Sequence, residues 1–425
     1  MNAPRSAGVR PSARHEDPGD TQVTSPSTTT SVSIPTLAIA ARQTFAALFF
    51  VVLPGTFLAL ALAPFGPSYG YDFFIFRKAG LAYLHGRSPY PPADLSVLAH
   101  QHSFVYPAPM AALFTPFALL PARLGAILFG LLLVACVYGT LRLLDVRDPR
   151  VYAFALVLLP VIYGIRLGTI SPLLALLVAG LWRFRDRPRG ASLFVAAVIV
   201  AKLFVWPLAV WLVLTRRWRA AGGGMLIAAA VTLAAWAPLG FAGLGSYTHV
   251  LSVLAQAEQA QSFSVVALAL SAGLAPHGAH VVAVAVAGLL FALAVLLRLR
   301  RRPQSADFGI FTLCIAAALA ASPIVWNHYF VLLLVPLAIV SPRFGPIWVP
   351  PLALWVVLAQ SHGHLAPIVV AVAVPAALLA WAIAARDRPA GADLAFTDHR
   401  VARSNPLAEA WTRNRRSNYG YREGS

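Results

Sequence analysis

Apolar runs of spanning or near-spanning length recur from Ala46 to Ala385, separated by short segments rich in arginine or in Pro and Gly. That alternation predicts an all-α, polytopic transmembrane protein. A hydrocarbon core of ~30 Å takes about 20 apolar helical residues to cross, and it offers an unpaired backbone no water. Single spans are expected at 45–63, 124–142, 222–240, 279–298, 346–360 and 366–385. Shorter runs pair as hairpins, 151–164 with 170–183, 190–201 with 204–216, and 308–322 with 328–341. Such arms must thin the bilayer, tilt little, or end in a cavity lined by protein. Between the first two spans, Phe73, Phe76, Gly80, Tyr83 and Leu84 recur at helical spacing, as on an interfacial amphipathic helix.

Arginine gives these segments a direction. Clusters at Arg142/Arg147/Arg150, Arg183/Arg185/Arg187/Arg189, Arg216/Arg217/Arg219, Arg298/Arg300/Arg301/Arg302, Arg343 and Arg386/Arg388 fall between spans. If all are cytoplasmic, each intervening stretch crosses an even number of times, which gives about twelve transmembrane helices. The expected organisation is a disordered cytoplasmic tail over 1–41, a membrane domain over 42–385, and a basic cytoplasmic tail over 386–425. No apolar signal-peptide core precedes the first span, so that span is expected to stay as an anchor.

Composition agrees with a bilayer protein, since 59% of the 425 residues are hydrophobic and only 11% charged. The net charge of +18 is met by arginines flanking spans and calls for no nucleic-acid partner. Cys136 and Cys314 fall inside expected spans, where a thiol acts as a small apolar filler rather than half of a disulfide.

Sidedness shortens the list of chemical candidates. With tails and cytoplasmic loops removed, the carboxylates expected on the far side are Asp72, Asp94 and Glu258. Asp72 opens the interfacial segment, where a lipid phosphate and its sugar would lie, and it can cap that helix, serve as a general base, or do both. Asp94, in a Pro-rich loop, reads as a turn or cap residue. Glu258 stands among Gln256, Gln259 and Gln261, either as a solvated loop carboxylate or as part of a substrate site. The only two lysines, Lys78 and Lys202, and Arg166 share this side. Lys202 interrupts an apolar hairpin at its apex, where a cation either binds phosphate or snorkels to the interface. His328 lies at another apex beside Trp326 and Asn327, placed to orient a phosphate or a sugar hydroxyl or simply to pack. Nine of eleven histidines are expected on this face, including His100/His102, His277/His280 and His362/His364, yet no set has metal-ligand spacing. A nucleotide fingerprint is also lacking, so neither a metal nor a soluble activated donor is expected.

Several segments in order carry a resemblance. Asp72 is followed by Arg77-Lys78-Ala79-Gly80 and Leu84-His85-Gly86-Arg87-Ser88-Pro89-Tyr90, then by Phe104-Val105-Tyr106-Pro107-Ala108-Pro109. Lys202 precedes an arm ending Arg216-Arg217-Trp218-Arg219, and Ser322-Pro323 leads into Trp326-Asn327-His328-Tyr329. The chain in this respect resembles the polyprenol-phosphate-dependent glycosyltransferases of family 87, the α-mannosyltransferase type built on the GT-C fold. The resemblance implies Asp72 as general base, with Lys202 and His328 at the donor phosphate. It further implies a polyprenyl-phosphate sugar donor, a glycolipid or glycan acceptor, membrane lipids as surroundings, and no cofactor. Candidate substrate contacts are Lys202, Arg166, Lys78, Tyr106, Trp326, Asn327 and Glu258. One departure stands out: where family members often carry Gly-Gln-x-Asn before the fourth span, this chain has Gly168-Thr169-Ile170-Ser171. A transporter or flippase of lipid-linked sugars is the alternative, although no internal repeat is evident. A structural envelope subunit would need none of these ionisable groups.

Overall fold

The computed structural model describes residues 43–61, 69–100, 103–301, 303–357 and 361–386. The expected N-terminal tail, the C-terminal tail beyond Arg386, and His102, Arg302 and Arg388 lie outside the described residues. The described residues from 47 onward form one compact unit, and of the preceding unit only 43–46 are described. Among the described residues the fold is all helical, with no strand.

In chain order the helices are α1 (Gln43–Ala61), α2 (Tyr71–Leu84), α3 (Leu95–His100), α4 (Ala108–Leu113), α5 (Thr115–Ala118) and α6 (Ala122–Leu143). Next come α7 (Pro149–Leu156), α8 (Leu159–Leu167), α9 (Ser171–Arg183), α10 (Pro188–Ala201), α11 (Pro207–Leu214) and α12 (Trp218–Trp236). The chain continues through α13 (Tyr247–Glu258), α14 (Val265–Ser271), α15 (Pro276–Arg300), α16 (Pro303–Ala321), α17 (Leu334–Val340) and α18 (Leu365–Arg386).

Five helices, α1, α6, α12, α15 and α18, are long and apolar enough to cross a membrane, or six if the bent pair α7–α8 counts as one. The protein is a multi-pass membrane protein. Each expected hairpin arm has a counterpart, but by length and composition only five or six crossings are supported rather than twelve. The 62° bend between α7 and α8 has a local cause. Leu158 is extended and Pro160 follows in the first turn of α8, where it can offer no amide hydrogen to continue α7.

The expected span 346–360 is also different. Over its described part, 346–357, it forms two 3-10 segments, Pro346–Trp348 and Pro350–Val356, because Pro346, Pro350 and Pro351 cannot donate to an α-helical ladder.

Long and short helices occupy different places. In the apolar window of α1, as in that of α15, only 17% of residues are buried, so these helices form the outer wall. By contrast α9 and the Asn327–Val340 segment are mostly buried. Helices too short for hydrocarbon are thus largely shielded by protein, the setting in which broken backbone is tolerated at membrane depth. Small residues let the inner helices approach closely. A Cβ added at Gly224 of α12 would overlap the Val195 methyl of α10, and one at Gly180 of α9 would overlap the Phe194 ring.

The arginine-rich loops are tied together at one end. Buried Asp307 at the start of α16 accepts from Arg185 Nε at 2.9 Å, Arg217 Nη1 at 2.8 Å and Trp211 Nε1 at 2.8 Å. Arg217 also reaches Asp186 at 2.7 Å. Asp148 caps α7 through the Arg150 amide and accepts the Phe344 amide at 2.9 Å, joining two more loops.

Asp307→Asn keeps the volume but leaves Arg217 without its buried counter-charge. A loss of about 3 kcal/mol is expected, read as a lower thermal midpoint of the purified protein in nanodiscs. An unchanged midpoint would make this hub dispensable.

Candidate active site

At the other ends of the same helices, four chain segments converge. The first is α2, which is not a candidate span. Its start is fixed by two glycines in the left-handed region. Gly70, with φ +69°, is its N-cap and donates its amide to the Arg166 carbonyl at 2.8 Å. Gly168, with φ +68°, lies so near that a Cβ there would come within 2.8 Å of Phe73 Cβ. Side chains are strained at such φ. Phe73 is enclosed by Phe114, Phe117 and Phe129, and Phe76 stacks on Phe114 at 4.4 Å. Gly80 permits the contact with this layer, since a Cβ would meet the Phe114 backbone at 2.9 Å. The buried face therefore runs through Phe73, Phe76, Ala79 and Gly80, while Leu84 is exposed.

Asp72 is in the first turn of this anchored helix and does not cap it. The expected capping role is therefore not seen, because Gly70 occupies the cap position. Its carboxyl is partly buried, and burial pushes its pKa up to about 6 while the Lys202 ammonium pulls it back. The two charges act on each other without a direct ion pair.

Lys202 ends α10 in extended conformation, with φ −152° and ψ 117°. That turn sends its side chain into the protein, where it is only 6% exposed. Nζ lies 3.4 Å from the centre of the Tyr329 ring and within 6 Å of Tyr106 and Phe204. It has no hydrogen-bond partner. Tyr106 packs on Phe76 at 4.6 Å, one turn along α2 from Asp72.

His328 and Asn327 open a 3-10 helix, Asn327–Leu333. Both are buried. The Asn327 amide donates to the Val357 carbonyl at 2.6 Å, while Asn327 Oδ1 and His328 Nε2 have no partner. The segment is braced by the Phe263 amide on the Val325 carbonyl at 2.7 Å and by Ser264 on the Pro323 carbonyl at 2.8 Å. Trp326 is partly exposed and its carbonyl accepts from the Tyr329 amide.

Asp72, Lys202, Tyr106 and His328 are therefore brought together, with Trp326 and Asn327 adjoining in the chain. Others are not. Arg166 Nη1 donates to the Leu60 carbonyl at 3.0 Å. Lys78 is exposed on α2, about 240° around the helix from Asp72. Glu258 ends α13, partly buried, with its pKa raised by burial and no bond to the cluster. Asp94 caps α3 by accepting from the Ser96 and Val97 amides. Sequence reasoning gave no role to Tyr329 or Phe204, whose stacked rings lie 5.0 Å apart beneath the ammonium. The adjacency of Tyr329 to His328 was the available signal.

Among the described residues no group of three His, Cys, Asp or Glu could hold a metal ion. What the cluster offers is a carboxyl near neutral titration, a buried lysine without a hydrogen-bond partner whose pKa burial pulls down to about 7 while Asp72 pushes it back, and an imidazole nitrogen free to donate or accept.

A family model described as glycosyltransferase family 87 matches residues 104–323, just over half of the chain. The match includes Tyr106, Arg166, Lys202 and Glu258, and stops short of Asp72 and His328. No curated protein and no solved structure matches.

Infrared titration of Asp72, assigned by its loss in Asp72→Asn, is expected to give a midpoint near 6. In Lys202→Met the midpoint rises, because removing a nearby cation disfavours the carboxylate. A midpoint that falls or stays put in that variant would separate the two groups.

Proposed function

Since this chain belongs to glycosyltransferase family 87, we propose that it moves one sugar, mannose, from a polyprenyl-phosphate donor to a hydroxyl of an envelope glycolipid or glycan. The reaction takes place at the outer face of the plasma membrane, with the arginine-rich loops in the cytoplasm. The observation that carries this reading is the pairing of a partly buried carboxyl with a buried, unpartnered ammonium in one cluster. Phosphate is the anion that such an ammonium and the neighbouring His328 suit.

Asp72 takes the proton of the acceptor hydroxyl as its oxygen attacks the anomeric carbon. The bond from that carbon to the phosphate oxygen breaks, and the oxygen keeps the electron pair. Lys202 stabilises the charge that develops there, and the His328 Nε2–H donates to a second phosphate oxygen. One displacement inverts the anomeric centre, so a β-linked donor yields an α-linked product. Asp72 is the single carboxyl the cluster supplies, so no covalent sugar–enzyme intermediate is invoked.

An apolar cavity of about 390 Å³ supports a lipid donor. It opens among α4, α9, α10 and α12, with Met110, Leu173, Leu177, Ala197, Val200 and Ala201 among its lining. Ala201 is the chain neighbour of Lys202, so a tail held here leaves its phosphate near the ammonium.

With synthetic polyprenyl-phosphate mannose and membrane acceptors, Asp72→Asn is expected to lower kcat by about 10³-fold with donor binding kept. Lys202→Ala instead raises the donor KM about tenfold or more. Turnover retained in the first variant removes Asp72 from the mechanism. In a separate measurement, Ala197→Trp fills the cavity and is expected to raise KM for a long-tailed donor but not for a short-tailed one. An equal effect on both donors would detach the cavity from the tail.

A further inference from the structure

Within a poorly solvated site, one aspartate and one lysine have a default arrangement, which is an ion pair. Such a pair would weaken the carboxylate as a base and occupy the ammonium that a phosphate needs. The observed arrangement differs. Lys202 Nζ has no hydrogen-bond partner and makes no ion pair with Asp72, although their charges interact. It rests 3.4 Å from the centre of the Tyr329 ring, and that ring is held by stacking on Phe204.

We propose that Tyr329 is a positioning residue whose ring face holds the Lys202 ammonium apart from Asp72, leaving the base and the phosphate-binding cation both unquenched. The inference rests on the reading of Asp72 and Lys202 given above. An aromatic face suits this task because it attracts a cation through its quadrupole yet carries no net charge to be displaced. When the donor phosphate arrives, the ammonium exchanges a weak partner for a strong one, without first breaking a salt bridge.

The surroundings supply no other group for this role. Tyr106 and Phe204 stand farther from Nζ, at 5.6 and 5.8 Å. Lys202 acts on Asp72, Asp72 in turn acts on Tyr106 and Tyr329, and His328 responds to Lys202. Neither Arg166, whose Nη1 donates to the Leu60 carbonyl, nor Arg77, whose Nη2 donates to the Leu120 carbonyl, acts on Asp72 or Lys202. With the ring removed, the ammonium's strongest available partner is Asp72.

The test is the pH profile of kcat/KM with a polyprenyl-phosphate sugar donor. In Tyr329→Leu the acidic limb is expected to move down by about one pH unit, because a directly paired carboxylate is easier to form. The donor KM rises about tenfold over the same comparison. Tyr329→Phe keeps the face without the hydroxyl, and it restores both the limb and the KM. Tyr329→Met serves in place of leucine if that variant does not fold. A limb that stays put in the aliphatic variant, or a phenylalanine variant that behaves like it, overturns the inference. A wild-type enzyme inactive with every lipid-linked donor would instead defeat the functional reading itself, so the two failures are distinguishable.

Discussion

The ammonium of Lys202 is the group around which the candidate site is organised. Taking a charge out of water is costly unless something replaces its hydration, and here no carboxylate or carbonyl bonds to Nζ. Aromatic faces from three separate segments surround it instead. Cation–π contacts offset about 2 kcal/mol when desolvated, less than a full solvent shell, so the site is left under-satisfied toward anions. His328 Nε2 and Asn327 Oδ1 add two more unpartnered polar atoms in adjacent residues. A site short of partners in this way gains them by binding a polar ligand.

The helical architecture explains how such a place exists inside a membrane protein. Long helices such as α1 and α15 face outward, and the short or interrupted ones are largely enclosed. Lys202 stands where α10 gives way to extended backbone, and His328 where backbone turns into a 3-10 helix. Interruptions that lipid would penalise are tolerated under a protein wall, and they are what bring side chains from distant segments to one cluster. The hub at Asp307 ties the opposite ends of several of these helices, so their polar apices are carried on a fixed base.

Much of this was legible in the sequence, for physical reasons that differ between elements. Helix α2 forms where Phe73, Phe76, Gly80, Tyr83 and Leu84 recur at helical spacing, because that period holds over a long enough window. Asp72, Lys202 and His328 stood out because ionisable groups are rare in apolar surroundings. Helix count was less legible, since interior arms need not be as long as a crossing and the Pro346–Val356 stretch is apolar but short. The face of α2 was read as including Leu84, whereas the approach of Gly80 to Phe114 shifts burial toward Ala79. The bond from Arg166 to the Leu60 carbonyl, 106 positions away, was not legible because composition cannot reveal such a partner. The role of the Tyr329 ring was hidden for the same reason, as it depends on where the tip of another hairpin ends.

Gly70 and Gly168 bear no functional group, yet each uses a backbone geometry that side chains rarely adopt, and they meet at the point where α2 begins. Asp72 follows Gly70 by two residues, so its direction is inherited from that junction rather than from its own bonds. Replacement of either glycine in a natural variant therefore belongs with lesions of the reaction centre, even though inspection of charge, polarity or size alone would class it as innocuous.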